Sequence, residues 1–514
     1  MRRFKFAMKQ VQIGWATRDV STDKPIVING QAHLRVSRGV IDPVTTTALV
    51  LDDGEDCVIF VSLDMVSFRS QLLNELREKV RALCPEIPAE KIIANVTHAH
   101  TGPSHYTEAF NFTASDRPED RCPVHMEIAS SDEYRTWLST TMAEMIAEAW
   151  NGRKPGGIAY GYGYAVVGHS RRVCYFDDVS KRSAANATDT FAVNGHAVMY
   201  GNTNDDNFSH YEAGADHFIN LLYTFDAAGK LSGAIINVPC PSQNSEHEWK
   251  LTADYWHDVR QAIRAQYGDI FLLPQCAAAG DLSPRILHYK QAQDRRFRLK
   301  YGDFYAKNGV ERAARKDIAE RIAVAFDEVL DWAQKDIRTA VPIRHKVSTV
   351  QLSRRMITDE EYQQAKEGLA AAQAQAFVET DDPVQDLITN SCIISNRKRF
   401  YTVLRSYEEQ AHTKTHPMEL HVLRVGDIAF ATNRFELYMD FQHRMQARSP
   451  FEQTFIVQLC AQPTDNGGGY LCTQRAEEGR GYSAIIYSTT VSPEGGQELV
   501  NETLRQLNEL KNMD

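Results

Sequence analysis

The stretch Ile92-Ile-Ala-Asn-Val-Thr-His-Ala-His-Thr-Gly-Pro103 runs from an apolar segment into two histidines and a Gly-Pro turn. Its first five residues predict a buried strand, after which His98 and His100 stand where the strand emerges into a loop. Because side chains at i and i+2 of an extended backbone point the same way, both imidazoles can line one pocket. The pattern favours a metal site or a catalytic base, and its alternative is a polar strand end with ordinary hydrogen-bonding histidines.

Short apolar segments alternate with helical patterns on both sides of this stretch. Residues 57–63 form an apolar run, and residues 71–83 show an amphipathic helix pattern. This alternation is typical of an α/β protein, and we expect residues 1–514 to form a single domain because no repeat or linker divides them. Further strands are predicted at residues 157–167, 217–225, 232–238, 269–274, 420–425 and 428–432, and further helices at 133–150, 311–334, 358–376, 435–445 and 493–510.

The composition excludes several classes of protein. The 514 residues carry a formal net charge of -10, which argues against a nucleic-acid partner because phosphate binding needs a basic face. No apolar run of about eighteen residues predicts a transmembrane segment, and the N-terminal residues lack the apolar core of a signal peptide. We therefore expect a soluble, cytoplasmic protein with a small-molecule substrate, although a chain trimmed from a secretory precursor would look the same. The sequence leaves the oligomeric state open.

A second motif, Gly280-Asp-Leu-Ser-Pro284, follows the strand predicted at residues 269–274. Its glycine permits close backbone approach, and Asp281 and Ser283 stand at the carboxyl end of a strand, where an α/β sheet gathers its chemistry. A simple Asx or Ser turn is the alternative interpretation of this motif.

Taken together, these motifs resemble the signatures of the neutral and alkaline ceramidases, which are zinc amidases. His98-Ala-His-Thr-Gly-Pro103 is similar to the family's His-Thr-His-Ser-Gly-Pro segment, and Gly280-Asp-Leu-Ser-Pro284 matches its Gly-Asp-x-Ser-Pro. Four further resemblances follow in the family's order: Arg172 to the pocket arginine, Glu436 to the glutamate of a Pro-Gly-Glu helix start, Tyr470 to the metal-binding tyrosine, and Tyr482 to a second pocket tyrosine.

The resemblance implies a layered mixed-sheet sandwich with helices outside, acting as a zinc-dependent hydrolase. In that family, water bound to the metal attacks an amide (N-acyl) bond. The resemblance assigns zinc to His98, Glu436 and Tyr470, and it places His100, Arg172, Ser283 and Tyr482 around the scissile group, with Ser283 as either a nucleophile or a hydrogen-bonding group. Only about thirty residues follow Tyr482, so the immunoglobulin-like domain of exported ceramidases is not expected.

The chain departs from the family where a second zinc histidine is expected. Asn237-Val-Pro-Cys-Pro-Ser-Gln243 places Cys240 at that position, and a thiolate is an acceptable zinc ligand. The alternative is that Cys240 is a small buried residue and that Glu246, His247 or Glu248 supplies the fourth ligand. If Cys240 binds zinc, a zinc-thiolate glycosidase or another hydrolase of a polar substrate is the second hypothesis for function. If the ligands do not converge, a non-catalytic protein that binds a small ligand is the third.

Overall fold

Strands and helices alternate through the computed structural model, which describes residues 10–106, 117, 120–121, 124–183, 191, 193–464 and 469–513. The strands are β1 (Gln12–Asp19), β2 (Val27–Ile28), β3 (Arg35–Val36), β4 (Thr45–Asp52), β5 (Cys57–Leu63), β6 (Ile92–Val96), β7 (Lys154–Tyr164), β8 (His169–Ser170), β9 (Arg172–Tyr175), β10 (Ala197–Met199), β11 (Phe208–Tyr211), β12 (Phe218–Asp226), β13 (Leu231–Val238), β14 (Phe271–Cys276), β15 (Leu282–Ser283), β16 (Ile343–Ser353), β17 (Thr415–Val425), β18 (Ile428–Thr432), β19 (Glu436–Leu437), β20 (Gln453–Val457) and β21 (Tyr470–Leu471). The helices are α1 (Ser70–Leu83), α2 (Ser131–Asn151), α3 (Tyr255–Tyr267), α4 (Lys290–Tyr301), α5 (Asp303–Ala333), α6 (Asp359–Ala374), α7 (Pro383–Gln410), α8 (Met439–Gln446), α9 (Gln474–Gly479) and α10 (Pro493–Lys511).

Two mixed sheets lie face to face. The larger has eight strands in the order β14-β13-β12-β7-β1-β4-β5-β6, and the smaller has four in the order β16-β17-β18-β20. Their facing side chains form one buried apolar layer, in which the Phe430 ring lies 4.9 Å from Phe60 of the large sheet and 4.4 Å from Phe455 of its own sheet. Strands such as β5 and β6 are buried along their whole length, as strands covered on both faces must be.

Helices cover the outer faces of this sandwich. The helices α1 and α2 share an apolar cluster with the first strands of the large sheet, whereas α3 and α5 cover its other end. The outer face of the smaller sheet is covered by α10, which begins after the capping Ser492. The α/β class and the layered mixed-sheet sandwich with helices outside are therefore confirmed, while the single-domain organisation stays a prediction. No helix among the described residues is long and apolar enough to cross a membrane.

The large sheet curls until its two edge strands come together. Pro274 lies in β14, whose residues pair with β13 alone, and a proline suits such an edge because it has no amide hydrogen to donate. The carbonyl of Pro274 instead accepts hydrogen bonds from the Ser62 hydroxyl at 2.6 Å and the Asn95 side-chain amide at 3.2 Å. The ends of β6, β13 and β14 are thereby brought to one place.

A helical hairpin interrupts the smaller sheet. The strands β16 and β17 pair along their length up to Ser353 and Thr415, and the chain between those two residues forms α6 and α7. A capping box at Thr358 and Glu361 starts α6, in agreement with the predicted helix at 358–376. The sequence analysis missed α7, because its mixed polar and apolar surface shows no clear stripe.

Replacing Phe430 by alanine is expected to destabilise the sandwich by about 3–5 kcal/mol, because the large cavity left between the sheets cannot collapse. The free energy of unfolding from urea titration measures this change. The control is Val324→Ala on the outer face of α5, where the side chain is 69% exposed and the expected change is within about 0.5 kcal/mol. Equal losses for the two variants would contradict the assigned core.

Candidate active site

His98 follows the end of β6 and has a left-handed backbone, with a φ of 61°. Its Nδ1 lies 2.8 Å from the carbonyl oxygen of Val66, so Nδ1 carries the proton and donates it there. Its Nε2 lies on the other side of the ring, 3.6 Å from Oε2 of the Glu436 carboxylate. The turn thus directs a buried imidazole toward Glu436.

Glu436 and Tyr470 are neighbours in a short parallel pair formed by β19 and β21. The helix predicted at residues 435–445 begins only at Met439, because the Glu436 amide donates to the Gly469 carbonyl at 3.0 Å. Burial opposes ionisation of Glu436, but His98 and Arg171, together with a hydrogen bond from Tyr470, lower its pKa to about 2. Burial and the charge of Glu436 raise the pKa of Tyr470 well above its usual range. At neutral pH the pair is a carboxylate and a phenol.

We refer to His98, Glu436 and Tyr470 as the His98 cluster. Cys240 does not join it. The Cys240 sulfur is buried in the apolar core, 3.4 Å from the Pro241 carbonyl oxygen, and burial raises the pKa of its thiol well above the usual range. Within the described part of the chain, no group of three or more histidine, cysteine, aspartate and glutamate side chains is placed to hold a metal ion. The donor set that the fold assembles is therefore one imidazole, one carboxylate and one phenol.

The alternative ligands after Cys240 are also placed elsewhere. The Glu246 carboxylate forms an ion pair with Arg285 and lies 3.4 Å from Nδ1 of His100. The His247 side chain is 60% exposed and faces Glu246, with 3.9 Å between Nε2 and Oε1. The backbone carbonyl of Glu248 accepts a hydrogen bond from Arg35 at 2.7 Å. These residues surround His100 rather than the His98 cluster.

The ring of His100 lies next to the ring of His98. Its Nε2 lies 2.8 Å from the side-chain amide of Gln243, a partner that the sequence analysis did not identify. The two imidazole rings are 4.7 Å apart, edge to face. Burial lowers the pKa of His100 to about 4, so the ring is neutral at pH 7. Both of its nitrogens face protein groups, and the ring supports His98 from the side.

Arg171, and not the neighbouring Arg172, faces the His98 cluster. One guanidinium nitrogen of Arg171 lies 3.4 Å from Glu436 Oε2 and 3.4 Å from the Tyr470 hydroxyl, and it donates to the Gly280 carbonyl at 2.9 Å. The guanidinium of Arg172 is buried on another side, where it forms an ion pair with Glu212 at 2.6 Å. Successive side chains of an extended backbone point to opposite sides, and sequence alone does not show which of two adjacent arginines faces inward.

The Gly280-Asp-Leu-Ser motif holds the backbone that carries Glu436. A methyl group on Gly280 would lie 2.3 Å from the Glu436 carbonyl oxygen, and Asp281 accepts a hydrogen bond from the amide of Met439 at 3.0 Å. Ser283 is buried in β15, and its hydroxyl accepts from the Arg285 amide at 3.2 Å. Among the described residues, no histidine lies within hydrogen-bonding distance of that hydroxyl.

A cavity of about 670 Å³ opens above the cluster and is lined by Glu436, Tyr470, Tyr482 and helix α7. We call it the main cleft. The Tyr482 ring lies 5.8 Å from the Tyr470 ring, and its side chain is 42% exposed. A second cavity of about 330 Å³ reaches Glu436 from the side of His98. The His98 cluster therefore lies where these two cavities meet.

Comparison with known proteins identifies the fold. No protein-family model and no curated protein sequence matches the chain. Among solved structures, neutral ceramidase from Pseudomonas aeruginosa is similar with a TM-score of 0.65 at 16% identity, covering 98% of this chain and 75% of that one. A ceramidase complexed with C2 is similar with a TM-score of 0.62 at 14% identity and the same coverage. The neutral-ceramidase-like fold that the motifs implied is confirmed.

Replacing Gly280 by alanine is expected to lower the free energy of unfolding by about 1–3 kcal/mol, because the added methyl group displaces the Glu436 backbone. The matched control is Gly214→Ala, where a methyl group would meet no atom within 4 Å. Chemical denaturation of both variants measures the difference. If the two variants unfold alike, the close packing of Gly280 on Glu436 is wrong.

Proposed function

We propose that the protein is a zinc-dependent hydrolase that cleaves an amide (N-acyl) bond at the His98 cluster. The observation that carries this proposal is the convergence of His98, Glu436 and Tyr470 beneath the main cleft. His98 Nε2 lies 3.6 Å from the Glu436 carboxylate, which also accepts a hydrogen bond from Tyr470. The likeness in fold to two ceramidases supports the same reaction class.

The residues of the cluster fit zinc in type and orientation. Imidazole nitrogen and carboxylate oxygen are ordinary zinc ligands, and three protein donors with an open fourth position are typical of a catalytic site. The hydrogen bond from His98 Nδ1 to the Val66 carbonyl is the kind of support that orients metal-binding histidines. Zinc held by these three residues would supply a Lewis acid and lower the pKa of a water molecule to about 7.

The protein's own groups orient the reacting centre. Arg171 holds the Glu436 carboxylate and the Tyr470 hydroxyl, so it would orient two of the three zinc-binding side chains. The Tyr482 phenol lines the main cleft and can donate a hydrogen bond to a substrate there. His100 fixes the position of His98. Ser283 is given a hydrogen-bonding role, because no neighbouring base activates its hydroxyl.

The glycosidase hypothesis requires a thiolate at the reacting centre. The Cys240 sulfur lies in the core among apolar side chains, so the geometry supplies no support for that chemistry. The third hypothesis, a non-catalytic protein that binds a small ligand, applies only if the candidate metal ligands do not converge. The proximity of His98 and Glu436 favours the hydrolase instead.

Metal analysis of protein purified without added zinc tests the ligand set. We expect about one zinc ion per chain, lost in His98→Ala and in Glu436→Gln but retained in Cys240→Ala, because the Cys240 sulfur faces the core. Hydrolysis of an N-acyl amide panel that includes ceramide should be lost in the first two variants and retained in the third. Loss of zinc from folded Cys240→Ala would restore the thiolate hypothesis. Native protein that takes up no zinc and cleaves none of these amides would refute the proposal.

The two adjacent arginines are expected to separate catalysis from stability. Arg171→Gln should lower kcat by about 10–100-fold, the usual effect of losing a residue that orients metal ligands. Arg172→Gln should instead cost about 3–5 kcal/mol of stability, because it leaves Glu212 buried without its partner. The double variant Arg172→Gln/Glu212→Gln removes both charges and should keep kcat near the native value. Equal losses of kcat for Arg171→Gln and the double variant would contradict this assignment.

A further inference from the structure

Helix α7 forms one wall of the main cleft. The residues that it contributes recur at intervals of about one helical turn, so they lie on one side of the helix. This side carries Ser395, Lys398, Arg399, Tyr401, Thr402, Arg405, Ser406 and Glu409.

The main cleft has a polar and basic lining. Among the described residues that line it are six arginine or lysine side chains, two glutamates and five tyrosines. None of these residues is a leucine, isoleucine, valine, methionine, phenylalanine or tryptophan. A long alkyl chain gains binding energy from apolar surface, at about 0.8 kcal/mol for each buried methylene. Among the described lining residues, such a chain would meet tyrosine rings but none of these six larger apolar side chains.

Arg399 supplies a positive charge to the main cleft. Its guanidinium stacks over the Tyr487 ring at 5.2 Å, and none of the ion pairs between described residues includes it. Glu409, the acid on the same face, already pairs with Arg354 at 2.6 Å and lies 3.7 Å from Arg405. An anionic group of a bound ligand would compensate the positive charge of the half-buried Arg399.

A row of tyrosines links this arginine to the reacting centre. The Tyr470 ring, next to Glu436, is 5.8 Å from Tyr482, and the Tyr482 ring is 6.4 Å from Tyr487, over which Arg399 lies. Two contacts between tyrosine rings and one between a guanidinium and a ring therefore connect Arg399 to the His98 cluster. A substrate bound at the His98 cluster and extended along this row would place its far end at α7.

We propose that the substrate carries an oxyanion, such as a carboxylate or a phosphate, at the end distant from the scissile amide, and that Arg399 binds it with support from Arg405. The position of the scissile amide rests on the proposed function. The binding of the oxyanion rests on the lining of the cleft alone. Guanidinium groups suit planar or tetrahedral oxyanions because they offer several hydrogen-bond donors in a fixed geometry.

Equilibrium binding of sulfonamide probes tests this inference without turnover, because none of them contains a carboxamide bond for an amidase to cleave. The probes are N-dansyl-6-aminohexanoic acid, N-dansyl-6-aminohexanol, the phosphate ester of that alcohol, and N-dansylhexylamine as the alkyl probe. We expect the two anionic probes to bind at least about tenfold more tightly than the alcohol, the value of one charge-assisted hydrogen bond. Arg399→Gln should abolish this preference, Arg405→Gln should weaken it, and rising salt should reduce it.

The matched control is Arg81→Gln, which removes the same charge from an exposed position on α1 and should leave the preference unchanged. Equal binding of acid and alcohol, tightest binding of the alkyl probe, or a preference that survives in Arg399→Gln would overturn the inference. An anion preference in a protein that cleaves no amide would refute the proposed reaction alone. Cleavage of amides without any anion preference would refute only the inference.

Discussion

The structure depends on the closure of the large sheet at Pro274. An open sheet of eight strands would place β6 and β14 at opposite edges, with His98 far from Gly280. The hydrogen bonds from Ser62 and Asn95 to the Pro274 carbonyl join these edges and satisfy an acceptor that would otherwise be buried without a partner. Because three strands then end at one place, the loops after them can share one site.

The charged side chains at the His98 cluster compensate one another. Glu436 is buried yet ionised, because His98, Arg171 and Tyr470 favour its carboxylate more strongly than burial opposes it. Arg171 in turn is held by the Gly280 carbonyl as well as by Glu436, which ties the two sequence motifs to one another. A buried carboxylate beside the His98 imidazole is a suitable environment for a divalent cation.

Different parts of the chain form the sandwich and line the main cleft. The sandwich and its strand ends have the ceramidase-like arrangement, whereas the wall of the main cleft comes from the α6–α7 hairpin between β16 and β17. A shared fold establishes where a site can form, and the side chains that line it establish what it can bind. The basic, tyrosine-rich lining of this cleft differs from an apolar groove, and this is why the substrate inference rests on the lining and not on the likeness in fold.

The sequence by itself determined the α/β alternation, the buried strand before His98 and the motifs whose order implied the fold, because periodicity and turn residues are local properties. Only the tertiary structure decided that Arg171 faces the cluster in place of Arg172, and that the Cys240 sulfur lies in the core. It also decided that α7 forms the wall of the cleft. These outcomes depend on sheet curvature and on pairing between distant segments, which set the direction of a side chain and leave no mark in the neighbouring sequence.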